Sequence, residues 1–512
     1  MPKKIITIDG FAGGLANDPY DPLNKQTFQT AKDLEVFTAT RTLSPHLALG
    51  ADLTDKTRNN IKLSAAIKAS DGRIYFKGFD ESTGAVLTIW DAGTSLGSSS
   101  SLTAETTASG AGGGFGMVEF NSDIFYYESS SRIQAFDIGG STIVTNAVAV
   151  NNTCPIFVHE GLNTMFYTVS NKAIGKTTSS TISSTAALTF GDDQRPIMMT
   201  HLGQFVVIGL NTANNSKTSK LAIWDGSSTA IDDLIDIGDT GLQGIANLNG
   251  TIYMITTSNA AGFGKFNIIR LYRWRGAGVE LVREIDLKPT AANAVTVNPA
   301  SIAVHKDTLF FGMNADTANT MTIDNGVYAY NQKTDILTLD RVVEDTTNID
   351  VSSITIIEGT PVVTWFDGTN YRINHVPAST NKSALGVYES NIFPLDGTSG
   401  SKYGKIESIL LNHAALPASC GFTVAIKHYS NYDISGSVPS ADSYTDLTTP
   451  QGSGNSTGKT QSTTNATYTR IQSPNDFDRA THAQIKISLD EINSADSAKI
   501  VFPIVFNVVV EE

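Results

Sequence analysis

The amino-acid sequence predicts an all-β protein: a seven-bladed β-propeller over residues 62–380, followed by an antiparallel β-sandwich over residues 381–512. Three observations carry the prediction. An aromatic, β-prone phrase, GRIYFKGFD at Gly72–Asp80, returns six more times, beginning at Ser122, Leu162, Gly203, Gly250, Asp307 and Gly359. The intervals run from 40 to 57 residues, the period of a four-stranded supersecondary unit repeated around an axis. Composition agrees: 40 % of residues are hydrophobic, only 17 % are charged, and 43 are glycines, which suits many short strands joined by turns. Finally, the chain lacks helical periodicity beyond one turn near Glu491–Ser497.

Residues 1–61 come first. FAGGLANDPYDPLNKQTF has paired glycines, two prolines and no apolar period, so it reads as an extended arm. Asp33–Leu49 carries Val36, Phe37, Leu43 and Leu47. Because the seventh unit is short of a fourth strand, this segment is expected to close the ring.

Each repeat begins with an apolar strand: LSAAIKA, GMVEF, PIFVHE, PIMMTH, LQGIANL, ASIAVH and SSITII. Turn residues such as Asp71-Gly72, Asn121-Ser122, Asn249-Gly250 and Glu358-Gly359 then lead into the marker strand, as a two-residue hairpin requires. Third strands end on an aromatic and a polar turn, at Trp90, Phe136, Trp224, Trp274 and Tyr330. A single small sheet has two apolar faces and cannot bury them alone, so these aromatics are expected in the wedges between neighbours. Fourth strands are more polar and lead outward. Asp232, Asp233, Asp236, Arg283 and Glu284 there read as charges guarding an outer edge.

Residues 381–512 hold longer strands: GKIESILLN, GFTVAIKHY, ATYTRIQS, AQIKISL and KIVFPIVFNVVV. In the fourth, Ile485, Ile487 and Leu489 alternate with Gln484, Lys486 and Ser488, the mark of a half-buried antiparallel strand. The Ser/Thr/Gly-rich stretch between the second and third reads as a mobile excursion.

Chemistry is sparse. Cys154 and Cys420 make neither a disulfide framework nor a zinc spacing and read as buried thiols. No two of the eight histidines stand at metal-ligand spacing, although His159, His201 and His305 end three first strands and so could converge. Gly110–Gly116, GAGGGFG, lacks the following helix that a phosphate loop needs. Asp396–Glu407 has the first and twelfth residues of a calcium loop but Ser401 in place of its glycine. There is no GxSxG elbow and no paired acid and nucleophile from different blades. The reading therefore assigns no catalytic, cofactor-binding or metal-ligating residue, and expects a non-enzyme without a cofactor. The lysines of MPKKIITIDG are followed by Asp9, so no signal peptide is expected. Ile500–Val510, with Pro503 and Asn507, is a strand too short to span a bilayer as a helix, so no membrane anchor is expected. The net charge of −14 argues against a general nucleic-acid coat.

The arm GFAGGLANDPYDPL with Gly13 and Gly14, the seven irregular blades and the terminal sandwich together resemble the propeller-type tail proteins of tailed bacteriophages. Nozzle or packaged-DNA-stabilisation proteins of short-tailed phages are the nearest kind. The resemblance implies a structural protein of the virion tail, assembled in the host cytoplasm as a homo-oligomeric ring, usually of six copies. Such a ring continues the DNA channel below portal and adaptor proteins, retains the genome, and attaches fibres or a needle. DNA would pass transiently and without sequence preference. No residue role carries over, because no motif aligns residue by residue. The alternative reading is a carbohydrate-binding or carbohydrate-cleaving propeller at the host surface.

Overall fold

The structure, a computed structural model, describes residues 2–15, 26–37, 42–44, 61–80, 86–96, 103–109, 116–129, 132–140, 142–146, 154–213, 217–258, 268–286, 296–314, 326–341, 350–366, 371–375, 385–398, 401–416, 420–429, 444–447, 459–460, 468–471, 479–490 and 498–511. Among them there is no α-helix; one short 3-10 turn spans Glu160–Leu162. The expected turn near 491–497 and most of the glycine-rich segment 110–116 lie outside the described residues.

Two compact units emerge. The larger comprises Gly50–Tyr328 and Val343–Val376, the smaller Met1–Leu49, Ala329–Val342 and Pro377–Glu512.

Among the described residues, seven small antiparallel meanders follow one another between Ile61 and His375, six of four strands and the last of three. Their first strands are Ile61–Lys68, Met117–Phe120, Phe157–His159, Gln194–Leu202, Leu242–Leu248, Thr296–His305 and Asp350–Ile357. Their second strands are the seven recurrences of the marker phrase, from Ile74–Asp80 to Thr360–Phe366. The hairpins form for the expected reason. Asn121 and Ser122, Asn249 and Gly250, and Glu358 and Gly359 all adopt left-handed backbone, as both central residues of the tightest hairpin turn must.

Within the larger unit each first strand lies beside the next in chain order, and that of the seventh sheet returns to Ile61–Lys68, so the sheets form a closed cycle. Apolar cores fill the joints. Tyr75 and Ile89 of the first sheet meet Met117, Tyr126 and Phe136 of the second. Phe125 and Tyr127 meet Met165 and Tyr167 of the third, and Phe166 meets Val206 and Trp224 of the fourth. Val207 and Ile223 meet Ile252 and Trp274 of the fifth. At the closing joint Ile357, Val362 and Ile373 pack on Ala66, Ile74, Phe76 and Trp90. All five aromatics singled out at third-strand ends, Trp90, Phe136, Trp224, Trp274 and Tyr330, are buried. Each contributes roughly 2–3 kcal/mol of burial.

Closure differs from expectation. The described strand of segment 33–49 does not pair with the seventh sheet. Its paired residues, Thr42–Leu43, join Ile500–Val510 instead. The cycle is closed by face packing, by Thr355 Oγ1 donating to the Ala66 carbonyl at 2.9 Å, and by the Lys68–Glu358 ion pair.

The smaller unit holds two larger sheets. One, of five strands, runs Lys3–Ile8, Ile500–Val510, Gly404–His413, Tyr468–Ile471, with Thr42–Leu43 also on Ile500–Val510. The other, of eight, includes Thr27–Lys32, Leu385–Ser390, His482–Asp490 and Gly421–Tyr429 in that order. Ile500–Val510 alternates as a half-buried strand, burying Ile500, Phe502, Ile504, Phe506, Val508 and Val510. The sheets meet where Tyr388 packs on Phe502, Phe393 on Phe506 and His413 on Phe422, at centroid distances of 5.5, 4.8 and 5.4 Å.

Three expectations are corrected here. The described parts of residues 1–61 are mostly paired strand rather than arm: Lys3 faces Val509, and Phe28 faces Ser390. Ile6 and Ile8 supply the buried side of that first strand, which a pairing with an apolar partner selects. The fourth strand of the sixth sheet, Ile336–Arg341, is buried throughout instead of polar and outward, because Thr27–Lys32 covers it; Thr338 Oγ1 donates to the Ala31 carbonyl. The Ser/Thr/Gly-rich stretch contains two short strands, Thr445–Asp446 and Lys459–Thr460, both paired to Gly421–Tyr429.

Candidate functional site

The polar residues singled out in sequence fall at three kinds of place. The first is the turn after the third strand of the first, second, fourth and sixth sheets. Asp91 accepts from the Gly93 N–H at 2.6 Å, Asp137 from Gly139 at 2.9 Å, and Asp225 from Ser227 and Ser228, both at 2.7 Å. Asn331 does the same for Lys333 and Thr334. The acid or amide after the terminal aromatic therefore holds its own turn, as Asx turns do. The donors from Ser228 and Ser227 hold the Asp225 carboxyl at about 2, below its usual range.

The second is the belt of first-to-second-strand turns, where each sheet touches the next. The Ser70 N–H donates to Glu119 at 2.7 Å, Asn121 Nδ2 to the Thr178 carbonyl at 3.4 Å, Asn247 Nδ2 to the His201 carbonyl at 2.6 Å and Asn249 Nδ2 to Asp307 at 3.0 Å. The three histidines that end first strands belong to this belt, but they do not converge. His159 and His201 meet across the joint of the third and fourth sheets, ring centroids 5.6 Å apart. Phe157 stacks on His201 at 6.4 Å. His305 lies instead against the turn at Gly359 of the seventh sheet. The physical reason is that each turn reaches its neighbour's turn, so partners are fixed pairwise. His159 is 3 % exposed, caps the Glu160–Leu162 turn through Nδ1, which accepts the Leu162 N–H at 3.2 Å, and leaves Nε2 without a partner. Burial, then the nearby His201, pushes its pKa down.

The third is the interior. Cys154 and Cys420 are buried and not disulfide-bonded, and burial raises the Cys154 thiol. Asp396 accepts from the N–H groups of Thr398 and Ser401 at 2.9 and 3.0 Å, while Glu407 pairs with Lys3 at 2.9 Å. The two ends of the suspected calcium loop thus serve different partners. His413 bonds Thr469 Oγ1 at 3.0 Å, and His482 is buried with its pKa lowered to about 4. His46 and the side chain of His375 lie outside the described residues. Asp232, Asp233 and Asp236 are exposed at the outer strand of the fourth sheet. Among the described residues no group of three or more His, Cys, Asp or Glu is placed to hold a metal ion.

Two arrangements went unrecognised in the sequence. Asp239 Oδ2 accepts from Thr256 Oγ1 at 2.7 Å, Arg270 Nη1 at 3.1 Å and Tyr272 OH at 3.3 Å, and Arg270 Nε donates to Glu284 at 2.6 Å. Burial, then the Asp239 charge, pushes the Tyr272 hydroxyl up to about 12. The other is a repeated Gly-x-Asn clamp ending two second strands. Asn211 accepts the Leu242 N–H at 2.9 Å and donates to its carbonyl at 2.8 Å. Asn314 accepts the Val351 N–H at 2.6 Å and donates to its carbonyl at 3.4 Å. Two residues earlier, Gly209 and Gly312 leave room for those same Leu242 and Val351 side chains. The recurring G-x-N in GQFVVIGLN and DTLFFGMN was the available signal.

A closed cycle of small antiparallel meanders is a β-propeller, and this chain has that fold. No family model matches the chain, and no curated protein does. Similar solved structures include the WD40 domain of Pan2 from Neurospora crassa, with 8 % identity, TM-score 0.42, and coverage of 62 % of this chain and 90 % of that one. An oligogalacturonate lyase in complex with manganese has 11 % identity, TM-score 0.42, and coverage of 69 % and 96 %. BamB from Moraxella catarrhalis has 11 % identity, TM-score 0.37, and coverage of 62 % and 85 %. None of these is a phage tail protein.

Proposed function

We propose that this chain is a structural protein of a bacteriophage tail, a nozzle-type subunit that assembles with copies of itself around the DNA channel. One observation supports it most: the carboxylates of Asp91, Asp137, Asp225 and Asp396 are each engaged in holding a turn. Side chains spent on geometry suit a part whose task is shape. The net charge of −14 suits a channel wall that lets DNA leave without gripping its phosphates. In this reading the partners are a ring of identical subunits, six as the resemblance to nozzle proteins implies, with portal or adaptor proteins above and fibres or a needle below, and the site of action is the virion tail.

The test is electron microscopy and mass spectrometry of purified tail particles together with light scattering of the isolated protein. Closed rings, and the chain present in tails at a fixed stoichiometry, are expected. Its absence from tails sinks the proposal. Glycan hydrolysis abolished by replacing a single acid would favour the carbohydrate-directed alternative.

A further inference from the structure

We propose that His159 and His201 form an acid-sensitive latch across the joint between the third and fourth small sheets, shut while His159 is neutral and opened when it takes a second proton. The bonding pattern sets the chemistry. Nδ1 of His159 accepts the Leu162 N–H, so it carries no proton, and the ring's single proton sits on Nε2. A second proton would add an N–H at Nδ1 facing the Leu162 N–H, donor against donor, and would remove the cap of the Glu160–Leu162 turn.

Burial and His201 oppose that charge and outweigh the backbone groups of Gly203 and Phe205, which favour it. The ring is 3 % exposed, so the charged form is poorly solvated. On its own element the neighbouring Glu160 is exposed to solvent. From the fourth sheet the facing titratable group is the exposed His201, with the neutral Gln204 side chain beside Gly161. From the third sheet the neighbour is apolar Phe157, at 6.2 Å. Folding thus holds the His159 pKa below the ordinary 6.5. The sign follows: an unfolded or opened His159 binds its second proton more readily than the closed one. The closed joint is favoured fully above about pH 6.5 and loses that advantage as pH falls below it. What it guards is the core of Phe157, Phe166, Leu162 and the buried Cys154.

The test uses the full chain. Hydrogen exchange of peptides covering 154–167, corrected for intrinsic rate, is compared at pH 7.5 and 5.0. Wild type is expected to exchange several-fold faster at pH 5.0, because protonation of His159 favours the opened joint. His159→Asn keeps an oxygen for the Leu162 N–H but does not titrate, and its exchange is expected to be flat. His201→Gln removes the opposing charge and should show a smaller response than wild type. Labelling of Cys154 by 4,4′-dithiodipyridine in wild type, taken relative to a small free thiol at the same pH, gives a readout independent of the variants, with faster relative modification expected at pH 5.0. A flat wild-type response in either measurement, or the same acid response in His159→Asn, overturns the latch.

Discussion

Replacing Gly312 by alanine tests the account of how neighbouring sheets approach. A Cβ built there would lie 2.7 Å from the Val351 Cβ and 3.0 Å from the Ser301 Cβ. The first contact crosses the joint between the sixth and seventh sheets; both neighbours are short, buried side chains without a flexible end to yield. Overpacking of this kind costs about 1–3 kcal/mol. Val351→Ala alone removes two carbons, about 1.6 kcal/mol of transfer at about 0.8 per carbon, and a small cavity brings the loss to about 2 kcal/mol. Combined with Gly312→Ala, it removes the nearer Val351 Cγ1 from the clash but keeps the Cβ contact, so the double variant should be about 0.5–1 kcal/mol more stable than the sum of single losses allows. Urea denaturation followed by the fluorescence of Trp365, which shares a buried core with Val351, gives all four corners of the cycle. Gly278→Ala, where nothing lies within 4 Å, is the control. A loss below about 0.5 kcal/mol for Gly312→Ala, or additive effects in the double variant, would refute the close-approach argument.

Three further outcomes follow. Asn211→Ala should cost about 1–3 kcal/mol, because it leaves the Leu242 carbonyl without its donor and weakens the hold on its N–H; urea midpoints measure it. Arg270→Met should cost about 3 kcal/mol by removing the cation between Asp239 and Glu284, whereas Lys68→Met, in a more exposed pair, should cost under about 1 kcal/mol and less in high salt. The low pKa of Asp225 means its turn gains from the ionised carboxylate above about pH 4 and loses that gain as pH falls through about 2. Amide exchange at Ser227 and Ser228 should rise over that window in wild type and show no such step in Asp225→Asn.

The repeats were legible because their information is local. A marker strand, a left-handed turn pair such as Asn249-Gly250 and a terminal aromatic such as Trp224 lie within one unit, and each produces the element it signals. Residues 1–61 were misread for the opposite reason. Lys3–Ile8 has the alternation of a strand, but its partner Ile500–Val510 lies at the other end of the chain, and a six-residue pattern does not name its partner. The histidines were placed correctly on first-strand ends and wrongly together, since strand position does not reveal which neighbour a turn touches. The Gly-x-Asn clamp was visible as letters, but its meaning depended on Leu242 and Val351, one sheet further on.

The pairing of Lys3–Ile8 with Ile500–Val510 also sets an order of events during synthesis. Every meander can form from neighbouring residues as it leaves the ribosome, but the first strand made must wait for the last. Until then an edge carrying Ile6 and Ile8 stays uncovered. A ribosome stalled short of Ile500 would therefore present finished small sheets beside an open, adhesive strand, the state in which a nascent polypeptide most needs a chaperone.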